Sequence, residues 1–274
     1  AILVIIFFFF FLCVPSFGQN FGWTSTSFLI VLLLSLISLV GLFLVEKKAS
    51  HPILSASFIK RKEFVLPVII LFLTQGLMQA NMTNTIVFIN YTQPDNTVIS
   101  GYAISIMYLG MSLGSILLGP LSDRFEPKRI LTGSLLLTGL GCALMLLYST
   151  TTPLLILASA LGILGFGLGA NATIFMKIVL TNLPVESAGL GTGTYGLFRD
   201  LAAPFGVAVF VPMFTNEITR LTSDSLAPLP PSRAAVDSIH MLSFIELFCI
   251  AIGILIVQFL PNIHKTNSLK GEHL

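Results

Sequence analysis

Apolar runs of about 20 residues, divided by short polar stretches, recur along the whole chain. That is the length a helix needs to cross a bilayer core of roughly 30 Å. Full spans are predicted at 25–45, 66–90, 101–120, 129–148, 153–176, 190–213 and 240–260, and residues 1–14 predict a partial eighth. The chain opens at Ala1 with no basic segment before its Phe7–Phe11 run, which argues against a signal peptide and for a truncated helix with more chain upstream. The pattern therefore predicts an all-α integral membrane protein, a polytopic helical bundle.

Composition supplies the reason no soluble alternative competes. With 55% hydrophobic and 9% charged residues and a mean hydropathy of +0.94, the chain has too little charge to cover a water-facing surface. Cys13, Cys142 and Cys249 all fall inside apolar runs, so they read as packing residues rather than a disulfide framework. A net charge of +2 is too small to suggest a nucleic-acid partner, and the apolar runs make the lipid bilayer the expected environment.

The distribution of charge is more informative than its sum. Of the 14 Lys and Arg, 11 fall at 46–63, 121–128 and its flank, 177–189 and the tail, while Arg220 and Arg233 fall on the other side and Arg199 within a span. Such a bias in alternating loops makes the basic side cytoplasmic and predicts a multi-pass protein with a cytoplasmic C-terminus.

One loop carries a motif. Gly-Pro-Leu-Ser-Asp-Arg-Phe-Glu-Pro-Lys-Arg at 119–129 is a compact charged hairpin between two spans. It resembles motif A of the major facilitator superfamily at Gly119, Leu121, Asp123, Arg124, Phe125, Lys128 and Arg129. Glu126 stands where that pattern has Gly, and Pro127 where it has a basic residue, as in the degenerate copy of such a transporter's second half. The stretch from Gly22-Trp23 to Glu46, with Pro52 and Lys60-Arg61-Lys62, resembles the last linker helix of the fourteen-helix drug:proton antiporter branch. Pro184 to Ala208, with Gly189, Gly191, Gly193, Arg199, Leu201 and Gly206, resembles its penultimate helix.

The resemblance implies a linker helix pair at 1–45, a basic cytoplasmic loop at 46–63, a six-helix transporter domain at 64–262 and a tail at 263–274. It also implies a first helical bundle, in the same or another chain, a plasma-membrane location, and protons and a small molecule as the transported species. The motif A carboxylate, Asp123, is then expected to dock on a helix of the opposite half. The plain alternative is that Arg124, Lys128 and Arg129 only hold the loop in the cytoplasm.

Polar groups inside hydrocarbon cost about 2.5 to 3.5 kcal/mol each on insertion scales, so each asks for a reason. Arg199 and Asp200 lie roughly 17 Å into a helix that starts near Ala188. Asp200 is the leading proton-carrier candidate and Arg199 its intramembrane charge partner or a neighbour, although adjacent side chains diverge by about 100° and are poorly placed to pair. A structural ion pair or packing anchor is the bland reading. Glu246 is a second carboxylate, placed about two turns from the outer end of its span. It is a proton site, the partner of a basic residue, or a group that snorkels to the interface.

The span at 66–90 is unusually polar. Gln75, Gln79 and Thr83 share a face, beside Met78 and Met82, while Asn81 and Asn84 add further amides. In the family resembled, the matching helix lines the cavity, so Gln75, Gln79 and Thr83 are substrate-contact candidates; helix-to-helix hydrogen bonding is the alternative. Tyr102 and Tyr108 could add aromatic walls for a lipophilic cation.

Enzymatic patterns are weak. His51, His240, His264 and His273 form no metal-ligating spacing, the glycines at 189–196 follow no strand and precede no Gly-Lys-Ser/Thr, and no cofactor is implied. The sequence thus predicts the C-terminal part of a proton-coupled exporter of lipophilic or cationic molecules. A non-transporting half-length membrane protein or assembly subunit is the other reading.

Overall fold

The computed structural model describes residues 2–48, 62–96, 98–181, 188–224 and 227–260. They form eight α-helices: α1 (Ile2–Phe21), α2 (Thr26–Lys48), α3 (Lys62–Thr92), α4 (Val98–Arg124), α5 (Pro127–Leu144), α6 (Leu154–Thr181), α7 (Ala188–Thr222) and α8 (Pro231–Gln258). A single 3-10 turn, Met145–Leu147, extends α5. Seven helices are long and apolar enough to cross a membrane, and α1 holds a shorter apolar stretch, Leu3–Gly18. The basic run at 60–61, the segment from Pro184 to Glu186 and the tail at 263–274 lie outside the described residues.

Helix ends differ from the hydropathy reading. α1 runs through Pro15 to Phe21 instead of stopping at 14. The outer loop expected at 214–238 shrinks because α7 continues to Thr222 and α8 begins at Pro231. Hydropathy registers the apolar slab, whereas helix continues into the polar zone wherever the backbone is served. Glu217 and Arg220, one turn apart on α7, pair at 2.5 Å and support that extension. Pro231 sits at the first helical position of α8, where a missing N–H costs nothing.

Without a hydrophobic drive between helices in lipid, close approach depends on small residues. α4 and α6 meet through interleaved glycines: a Cβ on Gly110 would strike the Gly162 carbonyl, one on Gly114 the Phe166 carbonyl, and ones on Gly165 and Gly169 the Met107 and Met111 carbonyls. α3 crosses α7 in the same way at Gly76 and Gly206, whose backbones touch. Around these contacts a single core gathers Ile70, Leu71, Leu77, Phe88, Leu131, Leu135, Leu164, Phe175, Phe214 and Leu242.

α1 lies against α2 and α7. Val4, Phe8 and Leu42 form a small second core with Leu197, Phe198 and Leu201 of α7 packed on it. Farther along, the Phe11 and Phe205 rings stack at 5.2 Å with Phe72 beside them. The helices alternate in direction, so the ends at Lys48, Lys62, Arg124, Pro127, Thr181, Ala188 and Gln258 share one side, the basic end of the bundle.

Candidate functional site

Two prolines shape the charged helix α7. Neither Pro204 nor Pro212 has an N–H, so the carbonyls of Asp200 and Ala208, four residues earlier, lose their helical donors. Both prolines border an open groove of about 620 Å³ between α1, α3 and α7, lined also by Ser16, Gln79, Ala203, Val207, Ala208 and Val211. Asp200 is one helical turn before Pro204 and Arg199 one turn before Ala203, so neither charge is among the groove's lining residues and both lie a turn beyond it, toward the basic end.

Their side chains are 70% and 47% exposed, and Arg199 Nε donates to Asp200 Oδ1 at 2.9 Å. The expectation that these neighbours are badly placed to pair is therefore corrected. Their Cβ atoms diverge, but the long Arg stem curls back far enough for its guanidinium to reach the adjacent carboxylate.

Of the Gln75, Gln79 and Thr83 stripe, only Gln79 lines the groove. Gln75 Nε2 makes a long contact of 3.8 Å with Met78 Sδ, and Thr83 Oγ1 donates to the Gln79 carbonyl at 3.2 Å. Tyr102 and Tyr108 are not brought to this groove. Both are exposed on α4, and Tyr108 borders a separate groove of about 440 Å³ with Ser112, Ser115 and Thr173.

Glu246 has a different setting. With α8 starting at Pro231 it lies about four turns in, not two, and it is 0% exposed, so it does not snorkel. Asn81 Nδ2 of α3 donates to Oε1 at 2.9 Å, and Cys142 Sγ of α5 donates to Oε2 at 3.4 Å. No ion pair forms at Glu246 among the described residues. These neutral partners can serve both protonation states, since the amide N–H donates to either and sulfur can donate or weakly accept. Asn81 and Cys142 are functional candidates that sequence reasoning missed. Asn81 was visible as an amide in an apolar span, but nothing local ties it to a residue 165 positions away.

The loop between α4 and α5 is bound to its own bundle. Asp123 pairs with Lys177 of α6, whose Nζ also donates to the Ser122 carbonyl at 2.5 Å. Lys128 Nζ donates to the Gln258 carbonyl at 2.6 Å, satisfying the C-terminus of α8 where a cation suits the helix dipole. Arg129 pairs with Glu126 at 3.1 Å, and Arg124 is exposed. Gly119 is buried, and a Cβ there would stand 3.1 Å from Thr173 Cγ2, which ties the start of this hairpin closely to α6. Among the described residues no group of three or more His, Cys, Asp or Glu side chains could hold a metal.

Apolar spans joined by glycine crossings, a charged, proline-containing helix beside a groove and a basic hairpin define a multi-pass helical membrane protein. The chain belongs to the Major Facilitator Superfamily, whose sequence model matches residues 1–207. It is 27% identical over 226 residues to the multidrug transporter protein MdtP of Bacillus subtilis, covering 81% of this chain and 41% of that protein. Multidrug resistance protein 3 of Bacillus subtilis is 22% identical over 215 residues, 78% of this chain and 42% of its own length. Quinolone resistance protein NorB of Staphylococcus aureus is 28% identical over 197 residues, 70% and 42% respectively. The chain thus spans about four-tenths of the length of these relatives.

Proposed function

We propose that this chain forms the second helical bundle, with its preceding linker helices, of a proton-coupled multidrug exporter of the fourteen-helix type. Residues 1–45 are the linker pair and 64–262 the transporter domain, set in the plasma membrane with the basic end and the C-terminus in the cytoplasm. A first bundle completes the pathway, and the two rock about a midplane site so that it opens to each side in turn. The protein moves its substrate without enzymatic conversion.

The observation that carries this reading is Asp200, a carboxylate within an apolar span, one helical turn before the groove-lining Pro204 on a helix with two internal prolines. A lipophilic cation entering beside Gln79 competes with Arg199 and with a proton for Asp200. Loading the cation expels the proton, and protonation from the other side expels the cation. The freed carbonyls of Asp200 and Ala208 favour positive charge along the same face. Glu246 supplies a second proton site inside the bundle.

The test is efflux driven by a proton gradient in vesicles carrying the full native protein. Asp200→Asn is expected to abolish it while the protein still reaches the membrane; undiminished efflux would remove Asp200 from the mechanism.

A further inference from the structure

Between Glu246 and the end of the bundle opposite the basic loops runs a row of buried polar atoms with no hydrogen-bond partner among the described residues. They are Asn81 Oδ1, both amide atoms of Asn84 and the Tyr148 hydroxyl, four of the six such side-chain atoms, so the deficit is concentrated here. Asn81, Asn84 and Tyr148 are 1%, 0% and 3% exposed.

Their order follows from the helix. Asn81, Asn84 and Phe88 occupy successive turns of one face of α3, and the Phe88 ring lies 5.2 Å from that of Tyr148. Asn81 itself is bonded to Glu246. The row ends at His240, whose ring Nε2 lies 3.0 Å from the Tyr148 carbonyl. Cys142 and Cys249 are the other titratable groups facing Glu246.

Buried amides in folded proteins are satisfied by protein or by ordered water, and such a water needs about two to four polar partners. Neighbouring turns stand about 5 to 6 Å apart at Cβ, a gap that one water spans between two amides. We propose that Asn81, Asn84 and Tyr148 hold a file of internal water that delivers protons to Glu246 from the outer side, through the interior of the bundle rather than through the α3/α7 groove. Each water accepts one proton and passes on another, so one proton leaves the outer solution for each one bound at the Glu246 carboxylate. This inference rests on Glu246 being a proton site.

Infrared spectroscopy on the full native protein in lipid tests it. The carboxylic acid C=O band of Glu246 is assigned by its loss in Glu246→Gln, and its exchange rate is followed after a switch to D2O. Asn84→Leu, which replaces the amide with hydrocarbon, and Tyr148→Phe, which removes only the hydroxyl, are each expected to slow exchange by about tenfold or more. Asn84→Ser, which keeps a water-binding group, is expected to stay close to the wild-type rate. Wild-type exchange in folded Asn84→Leu and Tyr148→Phe overturns the water file, and if Asn84→Leu does not fold, Tyr148→Phe decides alone. No band lost in Glu246→Gln overturns the proton role of Glu246 itself, and the water file with it.

Discussion

Two glycine-to-alanine changes in neighbouring helices are expected to act with opposite sign. In Gly114→Ala the new methyl on α4 would overlap the Phe166 carbonyl oxygen of α6 and stand 2.8 Å from its carbon and 3.0 Å from its Cα. Ordinary contact starts at 3.4 Å, and the obstacle is backbone, which cannot rotate away as a side chain can. The helices must separate, and Gly110, Gly165 and Gly169 lose their own close contacts with them. Overpacking of this kind costs about 1 to 3 kcal/mol, and the upper part applies because several contacts move together. Alanine regains about 1 kcal/mol of helix propensity, leaving a net loss of about 1 to 2 kcal/mol. In Gly133→Ala on α5 a Cβ meets nothing within 4 Å, so only the propensity gain of about 1 kcal/mol remains. Unfolding of both purified variants in mild detergent, followed by denaturant titration, measures the difference. Equal stability of the two, or a more stable Gly114→Ala, would refute the backbone-contact account of the α4/α6 crossing.

Removing the Asn81 donor in Asn81→Ala leaves one Glu246 oxygen without its partner and is expected to cost about 1 to 3 kcal/mol, and a double-mutant cycle with Glu246→Ala, which removes the acceptor, should return a coupling of similar size. Arg199→Gln removes the built-in competitor for Asp200, so KM for a monovalent lipophilic cation should fall several-fold while a neutral substrate is unaffected in transport assays. Lys128→Met should cost about 0.3 to 1 kcal/mol and loosen the C-terminal turn of α8, read as faster amide exchange near Gln258.

The spans were legible because hydrocarbon thickness imposes a length that composition reports directly. Their ends were not, because Glu217 and Arg220 read as loop charges until the helix between them is seen to continue. The position of Glu246 shifted by about two turns for the same reason, with α8 starting at Pro231. Gly110 and Gly114, four residues apart, permit a close approach on one face of α4, but that spacing does not identify α6 as the partner. Site residues divided along a similar line. Asp200 could be picked from its depth alone, whereas its pairing with Arg199 depends on a side-chain path that Cβ directions do not fix. Asn81 was visible as an amide in an apolar run and Cys142 read as a packing residue, and only tertiary packing brings α3, α5 and α8 together around one carboxyl.

Proton release on substrate binding tests the central claim most directly. The full native protein in weakly buffered detergent, with a pH-sensitive dye, receives a saturating lipophilic cation. Exchange at Asp200 predicts a stoichiometric release of protons that disappears in Asp200→Asn, with the cation still bound more weakly. No release from the wild-type protein, or the same release from Asp200→Asn, would contradict the account.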